Sequence, residues 1–138
     1  MPVSARSLGL LERREATPAA AAAAAAWENY TPERLDALRA QGQPVFVNLT
    51  AAWCITCLAN ERLALRSEPV GAAFRAAGIT YLKGDWTHRD PQISALLRRF
   101  DRSGVPLYLY YPPGAGSEPV VLPQLLTPGT VLAAIGAT

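Results

Sequence analysis

The sequence has few of the residues on which several classes of protein depend. Its 138 residues include two cysteines and one histidine. Two cysteines exclude a small fold stapled by several disulfides. A zinc site takes about four ligands, so here it would need carboxylates or a second chain. The net charge of +2 is too small for a nucleic-acid surface. We therefore expect no metal, no other cofactor and no nucleic-acid partner.

Long apolar runs are also missing. No stretch approaches the ~20 apolar residues of a membrane-spanning helix. A short apolar patch near the N-terminus is followed at once by Arg13, Arg14 and Glu15, where an export signal would stay apolar. Residues 1–26 show no lasting periodicity, and short alanine-rich helices are marginal in water. We predict a flexible linker or tail over residues 1–26 and one domain over residues 27–138.

The pattern of apolar and turn residues predicts alternating helices and strands in that domain. Apolar runs indicate strands over residues 45–50, 79–83, 105–111 and 120–122. Helices are expected after Thr31, Asp90 and Thr127, each a cap followed by proline, and over residues 54–66 and 70–77. Strands joined through helices should be parallel, and the last two should form a hairpin. The sequence thus predicts an α/β fold whose mixed sheet of about four strands is covered by helices on both faces.

Both cysteines lie where the first predicted strand passes into a helix. Cys54 and Cys57 are separated by two residues, and a Cys-x-x-Cys in this position is a redox signature. A helix N-terminus lowers the pKa of a thiol through unpaired N–H groups and the helix dipole. We therefore expect Cys54 to attack a substrate disulfide and Cys57 to resolve the mixed disulfide. Two inert core cysteines are the alternative that this context disfavours.

Two neighbours of the pair are candidates for a role in the chemistry. Glu61 is four residues after Cys57 and seven after Cys54, which places all three on one helix face. Its carboxylate would disfavour a nearby thiolate by repulsion and is placed to exchange a proton with Cys57. Spacing alone equally allows a solvated surface glutamate. Trp53 is expected to shield the sulfurs or offer a contact surface, and a core aromatic is its alternative.

These residues resemble a known family. Trp53, Cys54 and Cys57 after a strand, with Val105 and Pro106 about fifty residues later, look like thioredoxin. Several segments are similar to the C-terminal periplasmic domain of the DsbD family of transmembrane thiol:disulfide interchange proteins: residues 47–57 with 60–61, 84–87, 90–91, 103–108 and 120–127. The resemblance covers about residues 27–136 and implies a thioredoxin-like fold.

The resemblance also implies a task. In that family a membrane-embedded domain passes electrons to this domain, which then reduces an N-terminal periplasmic domain. The implied activity is that of a protein-disulfide reductase serving cytochrome c biogenesis, in the periplasm as part of an inner-membrane protein. Its partners would be the transmembrane and N-terminal periplasmic domains of the same parent protein, with transient mixed disulfides to protein substrates. The isolated domain is expected to be a monomer.

The resemblance further implies where a substrate binds. It implies a cis peptide bond between Val105 and Pro106 beside the cysteines, and flanking backbone that pairs with a substrate strand. An ordinary trans proline at a strand start is the alternative from sequence alone. Trp53, Ile55 and Thr56 are expected to contact the substrate together with Val105 and Pro106.

One residue departs from the family pattern. Many members carry a buried aspartate as proton acceptor where this chain has Asn48, and an amide cannot titrate. We expect Asn48 to order a hydrogen-bond network and to leave proton transfer to Glu61, for which the resemblance favours a functional role. Asp85 and Trp86 also match the family, and we expect them to brace a loop or pack in the core rather than to act in catalysis.

Two alternatives to the relay remain open at this point. One shares its chemistry and is a free-standing thioredoxin or a periplasmic oxidase. The other is a thioredoxin-fold binding module whose cysteines form a static disulfide. The reduction potential distinguishes a periplasmic oxidase or a free-standing thioredoxin from a relay reductase. A binding module with a static disulfide would differ from both because its cysteine pair resists ordinary reductants.

Overall fold

A computed structural model of the chain describes residues 26–137. The strands are β1 (Trp27–Asn29), β2 (Val45–Thr50), β3 (Thr80–Asp85), β4 (Leu107–Tyr111) and β5 (Val120–Val121). The helices are α1 (Pro32–Ala40), α2 (Ile55–Asn60), α3 (Glu68–Ala77), α4 (Pro91–Arg99) and α5 (Pro128–Ala134). All but the last residue of the predicted linker lies outside the described residues, so the domain boundary stays a prediction.

The strands form one five-stranded sheet in the order β1-β3-β2-β4-β5. β1 and β2 run parallel to β3, β4 runs antiparallel to β2, and β5 runs antiparallel to β4. The predicted mixed sheet is therefore confirmed, with one strand more than expected. β1 escaped prediction because it has only three residues, all exposed, and so shows no apolar pattern.

The direction of β4 corrects one expectation. We expected strands joined through helices to be parallel, yet β4 follows α4 and runs against β2. Residues 100–106 return the chain to the end of the sheet where β2 finishes, so that Leu107 pairs with Leu49. β4 also starts two residues later than predicted, because Pro106 has no N–H for the ladder. This return places Pro106 next to the segment that carries the cysteines.

Helices cover both faces of the sheet, as predicted. Alternate residues of β2 point to opposite faces: Val47 and Leu49 pack in one apolar cluster and Phe46 in the other. The first cluster includes Leu35 of α1 and Leu97 of α4; the second includes residues of α3 and α5. All six residues of β2 are buried, which explains why its sequence is apolar apart from Asn48 and Thr50.

The cysteine helix is not a single α-helix. The sequence predicts one helix over residues 54–66, but α2 ends at Asn60 and passes directly into a π-helical segment, Glu61–Leu65. There the N–H of Arg66 donates to the carbonyl oxygen of Glu61 at 2.9 Å. Short π segments inside helices are often found at functional sites. The predicted break near Ser67 is present, where Ser67 caps α3.

Within residues 26–137, none of the helices combines the length and the apolar character that spanning a membrane requires. The same range holds no group of three or more His, Cys, Asp or Glu side chains placed to bind a metal ion.

Candidate active site

The two cysteines form a disulfide at the start of α2. Cys54 is the N-cap of the helix, and its sulfur accepts a hydrogen bond from the N–H of Cys57 at 3.1 Å. That N–H would stabilise a thiolate on Cys54 after reduction. Cys54 is 8% exposed, whereas Cys57 is fully buried. Only Cys54 can therefore be reached by a substrate, which supports its predicted role as attacking thiol and that of Cys57 as resolving thiol.

A cis peptide bond joins Val105 and Pro106, as the resemblance implied. Val105 packs against Ala51 and both cysteines. The guanidinium of Arg102 donates to the carbonyl oxygen of Pro106 at 3.1 Å, which fixes this loop from the side of α4. The structure thus brings Val105 and Pro106 beside the disulfide, and their contact with a substrate stays a prediction.

Glu61 lies in a partly buried pair rather than on a freely solvated surface. Its Oε2 is 2.5 Å from Nζ of Lys83, and the two side chains are 15% and 23% exposed. Nδ2 of Asn48 donates to the same oxygen at 3.3 Å. Lys83 Nζ also lies 4.8 Å from the centre of the Trp27 ring, a cation–π distance. The negative charge of Glu61 is therefore balanced by a fixed positive charge.

Asn48 orders a hydrogen-bond network, as expected. It is fully buried, and its Nδ2 donates to the hydroxyl of Tyr81 at 3.0 Å as well as to Glu61. Burial raises the pKa of Tyr81 far above its usual value, so this phenol keeps its proton. Oδ1 of Asn48 is buried and has no hydrogen-bond partner among the described residues. Neither the amide of Asn48 nor the phenol of Tyr81 can therefore take part in proton exchange near neutral pH.

A loop after β3 braces the segment that carries the cysteines. The N–H of Ala52 donates to Oγ1 of Thr87 at 2.8 Å, and the indole N–H of Trp53 donates to the Thr87 carbonyl oxygen at 3.0 Å. Thr87 in turn donates its backbone N–H (3.0 Å) and its hydroxyl to the carboxylate of Asp85. These bonds hold the pKa of Asp85 below its usual value. The brace expected of Asp85 is present, and Trp86 is buried beneath it.

The predicted substrate-contact residues next to the cysteines lie at the surface. Trp53 is 50% exposed and Ile55 is 82% exposed, while Thr56 is partly buried. Trp53 is thus not a core aromatic. Beside this surface lies an open groove of about 270 Å³ whose lining includes Glu61 and Lys83. The groove connects the Glu61 carboxylate with the solvent.

Three residues of this region had no role in the sequence-based prediction. Lys83 pairs with Glu61, Thr87 braces the cysteine segment, and Asn60 ties α2 to the loop after β5. The buried Asn60 side chain bonds to the Tyr108 hydroxyl at 2.9 Å, to the Gln124 carbonyl oxygen at 2.7 Å and to the N–H of Leu126 at 3.0 Å. These contacts join residues 22 to 66 positions apart, so local spacing gave no signal for them.

The sheet order, the cysteine pair at a helix N-terminus and the adjacent cis-proline define a thioredoxin-like fold that carries a Cys-x-x-Cys site. The sequence model of the family described as thioredoxin-like matches residues 26–113, more than half of the chain. The chain therefore belongs to the thioredoxin-like family. The predicted thioredoxin-like fold is thus confirmed.

Two DsbD proteins are similar to this chain, one in sequence and one in structure. The chain is 37% identical to thiol:disulfide interchange protein DsbD 1 of Pseudomonas aeruginosa over 93 residues, 64% of this chain and 15% of that protein. The oxidised DsbD C-terminal domain of Neisseria meningitidis has a similar structure, with a TM-score of 0.62, 19% identity, and coverage of 78% of this chain and 95% of that domain. The resemblance to DsbD is thus confirmed.

A thioredoxin is similar as well. That of Thermus thermophilus gives a TM-score of 0.60 at 22% identity, with coverage of 80% of this chain and 83% of that one. Structural likeness at this identity defines the fold and leaves the partners open. The chain spans about 15% of the length of the DsbD relative named above.

Proposed function

We propose that this chain is the thioredoxin-like electron carrier of a DsbD-type protein. In this role it receives electrons from a membrane-embedded domain and passes them to a disulfide in the periplasm. The observation that carries the proposal is the 37% identity to a DsbD protein, together with a Cys54–Cys57 pair of which only Cys54 has exposed surface. The likeness to a thioredoxin structure is equally close in fold, so it is the sequence similarity to DsbD that supports the DsbD-type role over a free-standing thioredoxin.

The proposed reaction is a two-step exchange between disulfides. The thiolate of Cys54 attacks one sulfur of the substrate disulfide, a mixed disulfide forms, and the other substrate sulfur leaves as a thiolate. Cys57 loses its proton and attacks Cys54, which releases the second substrate sulfur. The substrate gains two electrons and two protons, and Cys54 and Cys57 return to the disulfide seen in the structure. A reduced membrane partner restores the dithiol by the reverse exchange.

Glu61 is proposed to accept the proton of the buried Cys57 thiol. Cys57 is fully buried, so its proton needs a nearby acceptor before the second step. Glu61 follows on the same helix and reaches solvent through the groove. Asn48 donates to Glu61 and orients it without titrating, a role that an aspartate in this position would not perform.

The proposed partners follow from the same similarity. They are the transmembrane and N-terminal periplasmic domains of the parent protein, and the proposed location is the periplasmic side of the inner membrane. A transient contact suits a carrier, because it must meet two partners in turn. The exposed apolar side chains of Trp53, Ile55 and Leu58 provide such a contact surface around Cys54.

The test of this function is the redox equilibrium of the Cys54–Cys57 pair. A reductant in this relay should have a reduction potential below about −200 mV, nearer to thioredoxin at about −270 mV than to the oxidant DsbA at about −120 mV. A value near that of DsbA would instead indicate a periplasmic oxidase. If thiol trapping showed that ordinary reductants leave the pair oxidised, the chain would be a binding module with a static disulfide.

A further inference from the structure

A single arginine stacks on the aromatic side chains beside the active site. The guanidinium carbon of Arg89 lies 5.6 Å from the centre of the Trp53 ring and 5.1 Å from that of Trp86. The two rings themselves are 6.0 Å apart. Stacking of this kind holds a guanidinium by its faces and leaves the N–H groups at its edge free for other partners.

The acidic residues nearest in the chain do not use those N–H groups. The carboxylate of Asp90 caps α4 and accepts from the N–H groups of Gln92 and Ile93 at 2.7 and 3.3 Å. The carboxylate of Asp85 is bonded to Thr87. Within residues 26–137, the ion pairs are Arg34–Glu28 and Lys83–Glu61, and neither involves Arg89. Arg89 is exposed, so its charge faces the solvent at this edge of the site.

The position of Arg89 is fixed relative to the reactive sulfur. Trp53 directly precedes Cys54, and its indole N–H is bonded to the Thr87 carbonyl oxygen. Trp86 is anchored by a hydrogen bond to the hydroxyl of Ser94 at 2.8 Å. Because Trp53 is half exposed and directly precedes Cys54, a substrate whose sulfur reaches Cys54 would lie next to Trp53. Arg89 is thereby presented to the residues next to the substrate cysteine.

We propose that Arg89 is a specificity-determining residue that favours protein disulfides flanked by an acidic side chain. A carboxylate beside the substrate cysteine would accept paired hydrogen bonds from the free edge of the guanidinium, a geometry that suits arginine. This inference rests on the proposed exchange at Cys54. It adds a chemical preference among substrates, whether the partner is a domain of the same protein or another protein.

The experiment compares disulfide peptides that differ in one residue next to the cysteine: Asp, Asn or Lys. Single-turnover exchange with the reduced chain is followed after acid quenching, at about 0.01 M salt, where the screening length is about 30 Å. For the unaltered chain we expect the Asp peptide to react about two- to fivefold faster than the Asn peptide, as an exposed charge pair allows, and the Lys peptide to react more slowly.

Variants then assign the preference to one side chain. Arg89→Gln should abolish the difference in rate between the Asp and Asn peptides, and Arg89→Lys should retain part of it. The matched control is Arg75→Gln, because Arg75 is exposed in the last turn of α3, a helix that covers the face of the sheet opposite to Trp86. This control should keep the full preference.

The outcomes separate this inference from the proposed function. If the Asn peptide reacts but the Asp peptide gains nothing, or if Arg89→Gln keeps the same preference as Arg75→Gln, the assignment of Arg89 is overturned and the exchange function stands. If none of the peptides reacts with the reduced chain, both the exchange function and the preference are overturned.

Discussion

Replacing Lys83 by methionine should raise the pH at which Cys54 becomes reactive. Lys83 Nζ lies 2.5 Å from Oε2 of Glu61 and balances a negative charge on the helix that carries the cysteines. Without it, the carboxylate would repel a thiolate on Cys54. The opposite change, Glu61→Gln, leaves the lysine charge unopposed and should lower that pH. The double variant restores a neutral pair and should react like the unaltered chain.

The expected magnitude follows from the helix geometry. Glu61 is seven residues after Cys54, a separation of ~10 Å at about 1.5 Å per residue. Two unit charges at this distance interact by about 0.4–1.7 kcal/mol for an effective dielectric constant between about 80 and 20. Since about 1.4 kcal/mol corresponds to one pH unit, each single variant should move the midpoint by about 0.3–1.2 pH units.

The assay is the rate of alkylation of the reduced chain as a function of pH. It reports on Cys54, because Cys57 is fully buried. Arg34→Met is the matched control, since it breaks an exposed pair with Glu28 and should leave the midpoint unchanged. Shifts of the same sign in Lys83→Met and Glu61→Gln, or no shift in either, would refute the electrostatic reasoning.

Three further substitutions test the packing around the site, each by denaturant unfolding. Thr87→Val removes the hydroxyl that accepts a hydrogen bond from the N–H of Ala52. It should lower the free energy of unfolding by about 1–2 kcal/mol, and it should also slow disulfide exchange. Asn60→Ala removes three hydrogen bonds of a buried side chain and should lower the free energy of unfolding by about 2–4 kcal/mol. Gly84→Ala would place a Cβ 2.7 Å from Cδ2 of Leu49, and this overpacking should lower the free energy of unfolding by about 1–3 kcal/mol.

Two substitutions serve as controls for these stability measurements. Gly129→Ala has room, since the nearest atom would lie 3.8 Å from the added Cβ, and should be close to neutral. Asn29→Ala alters an exposed residue of an edge strand and should also change little. If Asn60→Ala or Gly84→Ala were as mild as its control, the contacts described here would not carry the stability assigned to them.

Much of the fold could be predicted because its signals are local. The apolar run of β2, the cap-and-proline starts of three helices and the cysteine spacing each lie within a few residues of one another. β1 could not be predicted, because its partner is β3, more than fifty residues away. The π-helical segment after Asn60 is a matter of backbone hydrogen bonding, for which its side chains give no pattern.

The sulfur chemistry of the site could be predicted from the sequence, whereas the ion pair beside it could not. The spacing of Cys54, Cys57 and Glu61 was visible in the sequence, and Asn48 was identified through its departure from the family pattern. The ion-pair partner of Glu61 could not be predicted from the sequence. Lys83 lies on β3, and it is near Glu61 only because β3 pairs with β2 in the folded sheet. A lone lysine in a strand carries no hint of which carboxylate it will face.

If Cys54 delivers electrons to a partner disulfide, the mixed disulfide that joins the two proteins can be trapped. Cys57→Ala removes the resolving thiol, so the mixed disulfide on Cys54 should accumulate. We expect the reduced variant to form a covalent adduct with the oxidised N-terminal domain of a DsbD protein, one that reductant reverses, while Cys54→Ala forms none. If the Cys57→Ala variant forms no adduct although its Cys54 still reacts with a small disulfide, the relay is contradicted.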